Sequence, residues 1–362
     1  MPCQLVTRIR TMGKHRTNTG LDAGPHIEGL TPMIEPEDCE FHDRDPDDWT
    51  WTETTALIFS VPEAGILGNA YVLARPNLGV ALSSVALGQG ICRQAGELDL
   101  NDCQIHLPCP ESFTDYSLAN GLSVKVSNAP RDYHFRYQHV LGHCSFDLHF
   151  EALHHPFDMH DPMQNALLSA ADSTATHDTK GDGWATGHFE VKGHITGSLE
   201  LRGKRYDVDC YEGMDHSWGP RRDVGTWAVS WISVNFGPEL AMHLAVDMAI
   251  EDGTVHYRDL RFGYVTENGE TRSLVFAEVE AVRVDMITVS NRIKVRDVNG
   301  KEWEFRGSAV AGHPWHSFNP RDVCYQSLHR YEYDGRVGYG EMGDIFGLDY
   351  LSEHMSRHGR KR

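Results

Sequence analysis

Positive charge is scarce in this chain. Its 362 residues carry 33 Lys and Arg against 52 Asp and Glu, a net charge of −19 with histidines neutral. A nucleic-acid partner requires a basic field to neutralise phosphates, and this balance excludes one. Long apolar runs are also missing. The most apolar stretch, Ala56 to Ala74, is broken by Pro62, Glu63 and Gly65, and the first residues carry charge with no apolar core. Neither a membrane span nor a signal peptide is expected. The eight cysteines, at 3, 39, 92, 103, 109, 144, 210 and 324, make no Cys-x-x-Cys pair, which fits reduced thiols and a cytoplasmic location. Helical periodicity is confined to short candidates at 162–171 and 320–323. There is no G-x-G-x-x-G between strand and helix, no G-x-x-x-x-G-K-[ST], no G-x-S-x-G and no H-E-x-x-H, so nucleotide use, serine hydrolysis and zincin chemistry lose their signatures.

What the chain has in abundance is alternation with a period of two. Phe146, Leu148 and Phe150 alternate with Ser145, Asp147 and His149, and Tyr133, Phe135 and Tyr137 alternate with His134, Arg136 and Gln138. Each pattern is that of a half-buried strand, and together they read as a hairpin. Ile195, Leu199 and Leu201 repeat the pattern, and further strands are expected at 227–236, 240–250, 255–265, 274–283, 286–296, 303–310, 325–334 and 336–342. Asn268-Gly269, Asn299-Gly300 and Asp334-Gly335 supply turns between them. The expected class is all-β, with antiparallel barrels or sandwiches.

The length suits two domains. Residues 1–50 read as an N-terminal extension whose acidic run from Glu35 to Asp48 is a solvated linker or rim, 51–170 as a first β domain, 171–184 as a polar linker, 185–350 as a second β domain, and 351–362 as a basic tail.

Between Tyr211 and Arg222 the sequence Tyr-Glu-Gly-Met-Asp-His-Ser-Trp-Gly-Pro-Arg-Arg mixes acid, imidazole, indole and guanidinium at the end of a strand, where Gly219-Pro220 should turn the chain. Packing alone does not require that mixture. On the expected strand 240–250, Met242, Leu244, Val246 and Met248 form one face. Ala241, His243, Ala245, Asp247 and Ala249 form the other, with room around the two polar residues for a ligand. Trp227 and Trp231 lie between the two segments. Glu341, among Gly338, Gly340 and Gly343, is either an acid at a barrel mouth or half of a salt bridge. The cluster His149, His154, His155, Asp158, His160 and Asp161 has metal-ligating side chains but matches no metal signature, and with Pro156 and Pro162 it reads as a loop.

The strings His188-Phe189-Glu190, Gly193-His194-Ile195-Thr196-Gly197 and Asp215-His216-Ser217-Trp218-Gly219-Pro220-Arg221 resemble the bacterial two-domain lipocalin-like proteins related to carotenoid 1,2-hydratase (hydroxyneurosporene synthase). The resemblance spans roughly residues 185 to 345. It implies two lipocalin-like β domains side by side, a ligand cavity in one or between them, and cofactor-free chemistry on an apolar unsaturated molecule. In the hydratases a His and a Trp of this element are joined by a Tyr and an Asp on a following strand. Here His216 and Trp218 match the first two, while the following strand offers His243 and Asp247 and no Tyr.

The resulting expectation is a hydratase, dehydratase, isomerase or cyclase acting in a β-barrel cavity on a hydrophobic alkene or enone, such as a terpenoid or steroid-like molecule. Asp215, His216, His243 and Asp247 would be catalytic, and Tyr211, Trp218, Arg221, Trp227, Trp231 and Glu341 would bind substrate. Neither metal nor cofactor is expected, and a homodimer is compatible with the sequence. The alternative is a non-catalytic carrier or sensor using the same cavity.

Overall fold

The computed structural model describes residues 34–170, 186–221, 228–316 and 321–359. Two bodies of antiparallel strands pack against each other. The first is an 11-stranded curled sheet built from β1 (Trp51–Val61), β2 (Ile66–Arg75), β3 (Val80–Gln89), β4 (Leu100–Pro108), β5 (Asp115–Ser117), β6 (Leu122–Asn128), β7 (Asp132–Gln138), β8 (Cys144–Ala152), β9 (Phe157–Asp158), β10 (Gly187–Leu201) and β11 (Lys204–Pro220). Its strand order is β4-β3-β2-β1-β11-β10-β8-β7-β6-β5, with β9 paired to β10. The second is a closed barrel of β12 (Ala228–Asn235), β13 (Leu240–Glu251), β14 (Thr254–Glu267), β15 (Glu270–Val284), β16 (Ile287–Asp297), β17 (Glu302–Trp315), β18 (Asp322–Tyr333) and β19 (Arg336–Gly347), β19 closing on β12. This is the all-β class expected from the alternation, and the lipocalin-like architecture that the resemblance implied.

The turns follow local chemistry. Pro62 and Pro76 each open a single 3₁₀ turn that ends on a glycine in the left-handed region, Gly65 at φ 63° and Gly79 at φ 67°, which joins β1 to β2 and β2 to β3. Arg202 (φ 51°) and Gly203 (φ 75°) are both positive, the geometry that matches hairpin twist, and they join the long β10 and β11.

The sheet order revises the expected layout. β10 and β11 follow the polar segment 171–184, yet they complete the first sheet, β10 against β8 and β11 against β1. The passage from sheet to barrel therefore lies between Pro220 and Ala228. The expected linker 171–184 lies outside the described residues, and the strands described on either side of it, β8 and β10, belong to one sheet. The short helix expected at 162–171 is reduced to α1 (Ala166–Ala170), because Asp161 and Asn165 side chains accept from the backbone N–H of Met163 (2.8 Å) and Leu167 (3.2 Å) and hold the preceding residues in turns. Asp322 and Val323 open β18 instead of forming a helix. The tail begins as α2 (Leu348–Gly359), whose Tyr350 hydroxyl accepts from Ile250 N–H at 2.9 Å.

The acidic segment keeps Glu35, Glu37, Asp43, Asp45 and Asp47 exposed, as a solvated rim does, and is anchored at a few points. Ile34 and Cys39 are buried in the core on the concave face of the sheet, and the Glu40 carboxylate accepts from Ser112 Oγ (2.6 Å), Phe113 N–H (2.5 Å) and Thr114 Oγ1 (3.0 Å). The segment straps that face, where Leu57, Phe59, Phe135, Phe150, Val191 and Met214 pack.

Inside the barrel, Ile232, Met242, Leu244, Ile293, Trp303 and Phe305 pack together at one end. At the other, Arg283 pairs with Asp344 at 2.8 Å, and Tyr257 (3.3 Å) and Thr288 (2.9 Å) donate hydroxyls to the same carboxylate. The two bodies meet through Leu67, Ala311 and Leu328, through Asn69 Nδ2 to Gln326 Oε1 (2.7 Å), and through Trp315 Nε1 to Ser84 Oγ (2.9 Å).

Breaking the lumenal ion pair leaves a charge buried without its counter-ion, which costs about 3–5 kcal/mol. Arg283→Met is expected to lower unfolding free energy by that amount in urea titrations. A loss below about 1 kcal/mol, the scale of an exposed pair, would show that the lumen admits water at this point.

Candidate site at the sheet–barrel seam

β10 places Phe189, Val191 and Ile195 in the concave core and turns His188, Glu190 and Lys192 toward the barrel, all three buried. A strand buried on both faces normally has apolar residues on both. Here one face is charged. On β11, Asp215 sits directly across from Glu190 and shares its face, while His216 sits across from Phe189 on the opposite one. The barrel contributes Trp231 and Ser233 from β12 and His243 from β13, whose neighbours Met242 and Leu244 point into the lumen.

The groups converge on Glu190. Its Oε1 accepts from Trp231 Nε1–H at 2.6 Å and lies 3.1 Å from His188 Nε2 and 3.6 Å from His243 Nε2. Lys192 donates its ammonium to Ser233 Oγ, and its backbone N–H donates to His154 Nε2 at 3.1 Å. Deeper in the seam, Glu212 accepts from Asn235 Nδ2 (3.5 Å) and Glu341 from Gln326 Nε2 (3.2 Å). Both ring nitrogens of His243, Glu212 Oε1 and the Tyr264 hydroxyl are buried without a hydrogen-bond partner. Beside this polar layer Phe157, Met159, Val229, Ala245, Phe262 and Tyr264 form an apolar wall, with the half-buried Trp231 ring against it.

Burial dominates the electrostatics. It pushes Glu190 up to about 7, with the Lys192 ammonium and the Trp231 indole N–H opposing. It does the same to Glu212, up to about 7, and raises Asp215, whose carboxyl is further lifted by the neighbouring charge of Glu190. Burial drives the imidazoles the other way: His188 falls to about 4 and His243 lies well below its ordinary value. Near neutral pH the seam thus holds carboxyls close to the midpoint of their titration beside neutral imidazoles, acids and bases in one buried layer.

The structure separates residues that the sequence grouped. Asp215, His243 and Trp231 meet around Glu190. Arg221 belongs to the same side of the sheet and donates to the Tyr71 hydroxyl at 3.2 Å. Glu341 faces the seam, not a barrel mouth. Asp247 is taken up by an ion pair with Arg261, and Tyr211 is half-exposed and stacks on His194 at 4.6 Å. His216 and Trp218 point to the concave face, because adjacent strand residues face opposite ways. Trp227 lies outside the described residues. The histidine-rich loop disperses: His154 Nδ1 meets His155 O at 2.6 Å, His155 Nε2 meets Ile34 O at 2.9 Å, and Asp158 accepts from His160 N–H at 2.8 Å. His188, Glu190 and Lys192 were not selected from the sequence as site residues. Their signal was present as a polar residue at every second position of a strand whose other face is Phe and Val.

The chain belongs to the family of the domain of unknown function DUF7064, whose model matches residues 35–345. No curated protein sequence matches it. Among solved structures it is similar to an AttH-like protein from Nitrosomonas europaea, with 14% identity, a TM-score of 0.58, and coverage of 88% of this chain and 98% of that one. A second similar structure is kievitone hydratase from Nectria haematococca, with 12% identity, a TM-score of 0.49, and coverage of 83% and 90%. The first similarity shows the shared fold.

The raised Glu190 makes a stability prediction. The unfolded carboxyl titrates near 4.5 and the folded one near 7, so between these values the folded chain holds a proton that the unfolded chain has released. Stability therefore falls as pH rises through that window. Glu190→Gln removes the term, and its Tm relative to the parent should climb from pH 5 to pH 8. A Tm difference that does not change with pH would rule out a proton held at Glu190.

Proposed function

We propose that the seam is the active site of an acid–base hydratase, dehydratase or related isomerase acting on a hydrophobic unsaturated molecule. The observation that carries this reading is Glu190, with His188, Trp231 and His243 around one carboxyl oxygen, both nitrogens of His243 unpartnered, and an aromatic wall alongside. The resemblance to the carotenoid 1,2-hydratase relatives suggests the same class of reaction, although the two residues that carry it, His216 and Trp218, face away from the seam.

Adding water to an isolated double bond needs a proton for one carbon, a means of holding the developing cation, and a base for the water that attacks the other carbon. Glu190, or Asp215 across the strand pair, gives its carboxylic proton to the alkene carbon. The resulting carboxylate and the face of Trp231 stabilise the cation. A water attacks, and His243, neutral in this setting, takes its proton and returns it to the carboxylate. The alkene gains one water and the side chains end as they began. Run in reverse, the same steps dehydrate a tertiary alcohol; without water capture, loss of a different proton isomerises the double bond. Asp215 and Trp231, both half-buried, form the exposed edge of the layer, and the remaining groups lie behind them.

Extraction of the purified protein followed by mass spectrometry should yield a hydrophobic molecule, and incubating that molecule with fresh protein should produce a species differing by one water or an isomer. Glu190→Gln and His243→Ala are each expected to reduce turnover by roughly 10²–10⁴-fold, and Asp215→Asn to reduce it as well, with folded state retained by circular dichroism. A molecule returned unaltered identifies a carrier, and undiminished turnover in Glu190→Gln sinks the assignment.

A further inference from the structure

The opposite face of β11 carries a second convergence that the acid–base site does not use. We propose that His42, Glu53 and His216 form a binding site for one divalent transition ion of the zinc and iron(II) type. His42 Nδ1 lies 3.0 Å from Glu53 Oε2 and His216 Nε2 lies 3.6 Å from the same oxygen, and the three atoms fall within 4.8 Å of one another. Tetrahedral zinc with bonds of 2.0–2.1 Å holds neighbouring ligand atoms about 3.3 Å apart. The two shorter separations bracket that value. Two imidazole nitrogens and one carboxylate oxygen suit zinc or iron(II) and disfavour magnesium or calcium, which take oxygen ligands.

The groups around the three ligands are those a metal site uses. A ligating histidine normally has its other ring nitrogen hydrogen-bonded, which fixes the ring. His42 Nε2 meets Asp38 Oδ1 at 3.3 Å, and His216 Nδ1 meets Thr55 Oγ1 at 3.5 Å. Glu53 Oε1 accepts from His42 N–H (2.8 Å) and Trp51 Nε1–H (3.1 Å), which leaves Oε2 directed at the imidazoles. Trp218 stacks on the His42 ring at 3.9 Å with an interplanar angle of 11°. His216 Nε2 is buried and makes no hydrogen bond within 3.5 Å, its neighbour being the Glu53 carboxylate at 3.6 Å. His42 and Asp38, with side chains 16% and 25% exposed, give an ion a path from solvent.

The full chain, treated with a chelator and then titrated with Co²⁺ and Zn²⁺, should bind one equivalent by metal analysis, and the cobalt form should show the visible absorption of a low-symmetry, four- or five-coordinate ion. His42→Ala is expected to abolish that equivalent, and Asp38→Asn to weaken it by roughly 10–100-fold. If His42→Ala does not fold, Asp38→Asn decides. A second, exposed group, His134, Asp147 and His149, provides the control. The proposal is overturned if no stoichiometric ion binds at micromolar concentration, if both variants bind as the parent does, or if His134→Ala removes the ion instead.

Discussion

The structure depends on burying a charged strand face. β10 and β11 lie at the centre of the first sheet and are covered on both sides, by the strap from the acidic segment and by the barrel. On the barrel side they present Glu190 and Asp215 with Lys192, and Glu212 and Glu341 join them in the seam. One ammonium cannot neutralise four carboxylates, and desolvation makes their charged forms costly. The remaining carboxyls lower that cost by holding protons, which is why Glu190 and Glu212 rise to about 7. The seam is a store of exchangeable protons because of how the two bodies pack, with no unusual residue required.

Strand alternation then gives β11 two jobs. Asp215 and His216 are adjacent in sequence and face opposite ways, as do Ser217 and Trp218. Asp215 joins the acid-rich seam. His216 and Trp218 join a pocket of different electrostatics, where Glu53 has two imidazoles, an indole N–H and a backbone N–H around it. The mixture of side chains between Tyr211 and Arg222 looked like one site along the chain and is divided between two.

Most of the strands were legible because their alternation is local. Residues 240–250 and 286–296 were placed within a few positions, but the face of β13 turned into the barrel is that of Met242, Leu244 and Val246, while His243, expected to line a barrel cavity, looks out at Glu190. What escaped was pairing. Nothing between residues 171 and 220 announces that β10 and β11 belong with β1, more than a hundred residues earlier, since a register is set by contacts that only the folded chain makes. That misplacement hid both sites: His42 and Glu53 approach His216 only once β1 pairs with β11, and His243 approaches Glu190 only once the barrel docks on β10. The acidic segment is a largely exposed rim, as read, but its anchoring escaped for the same reason. Its charge density reads as solvated, and its role as a strap rests on Glu40, which satisfies two hydroxyls and a backbone N–H on a distant loop.

The position of the seam outside the barrel has a chemical advantage. A lipocalin-like lumen binds ligands when it is left open, but here it is occupied by apolar side chains at one end and by the Arg283–Asp344 network at the other. The closed barrel presents Trp231 and His243 to Glu190 from outside its lumen. Acid–base catalysis gains most when donor and acceptor are held in place and water is limited. A curled sheet packed on a closed barrel buries the groups between them, and the apolar wall from Phe157 to Tyr264 is the side against which a hydrophobic substrate would lie.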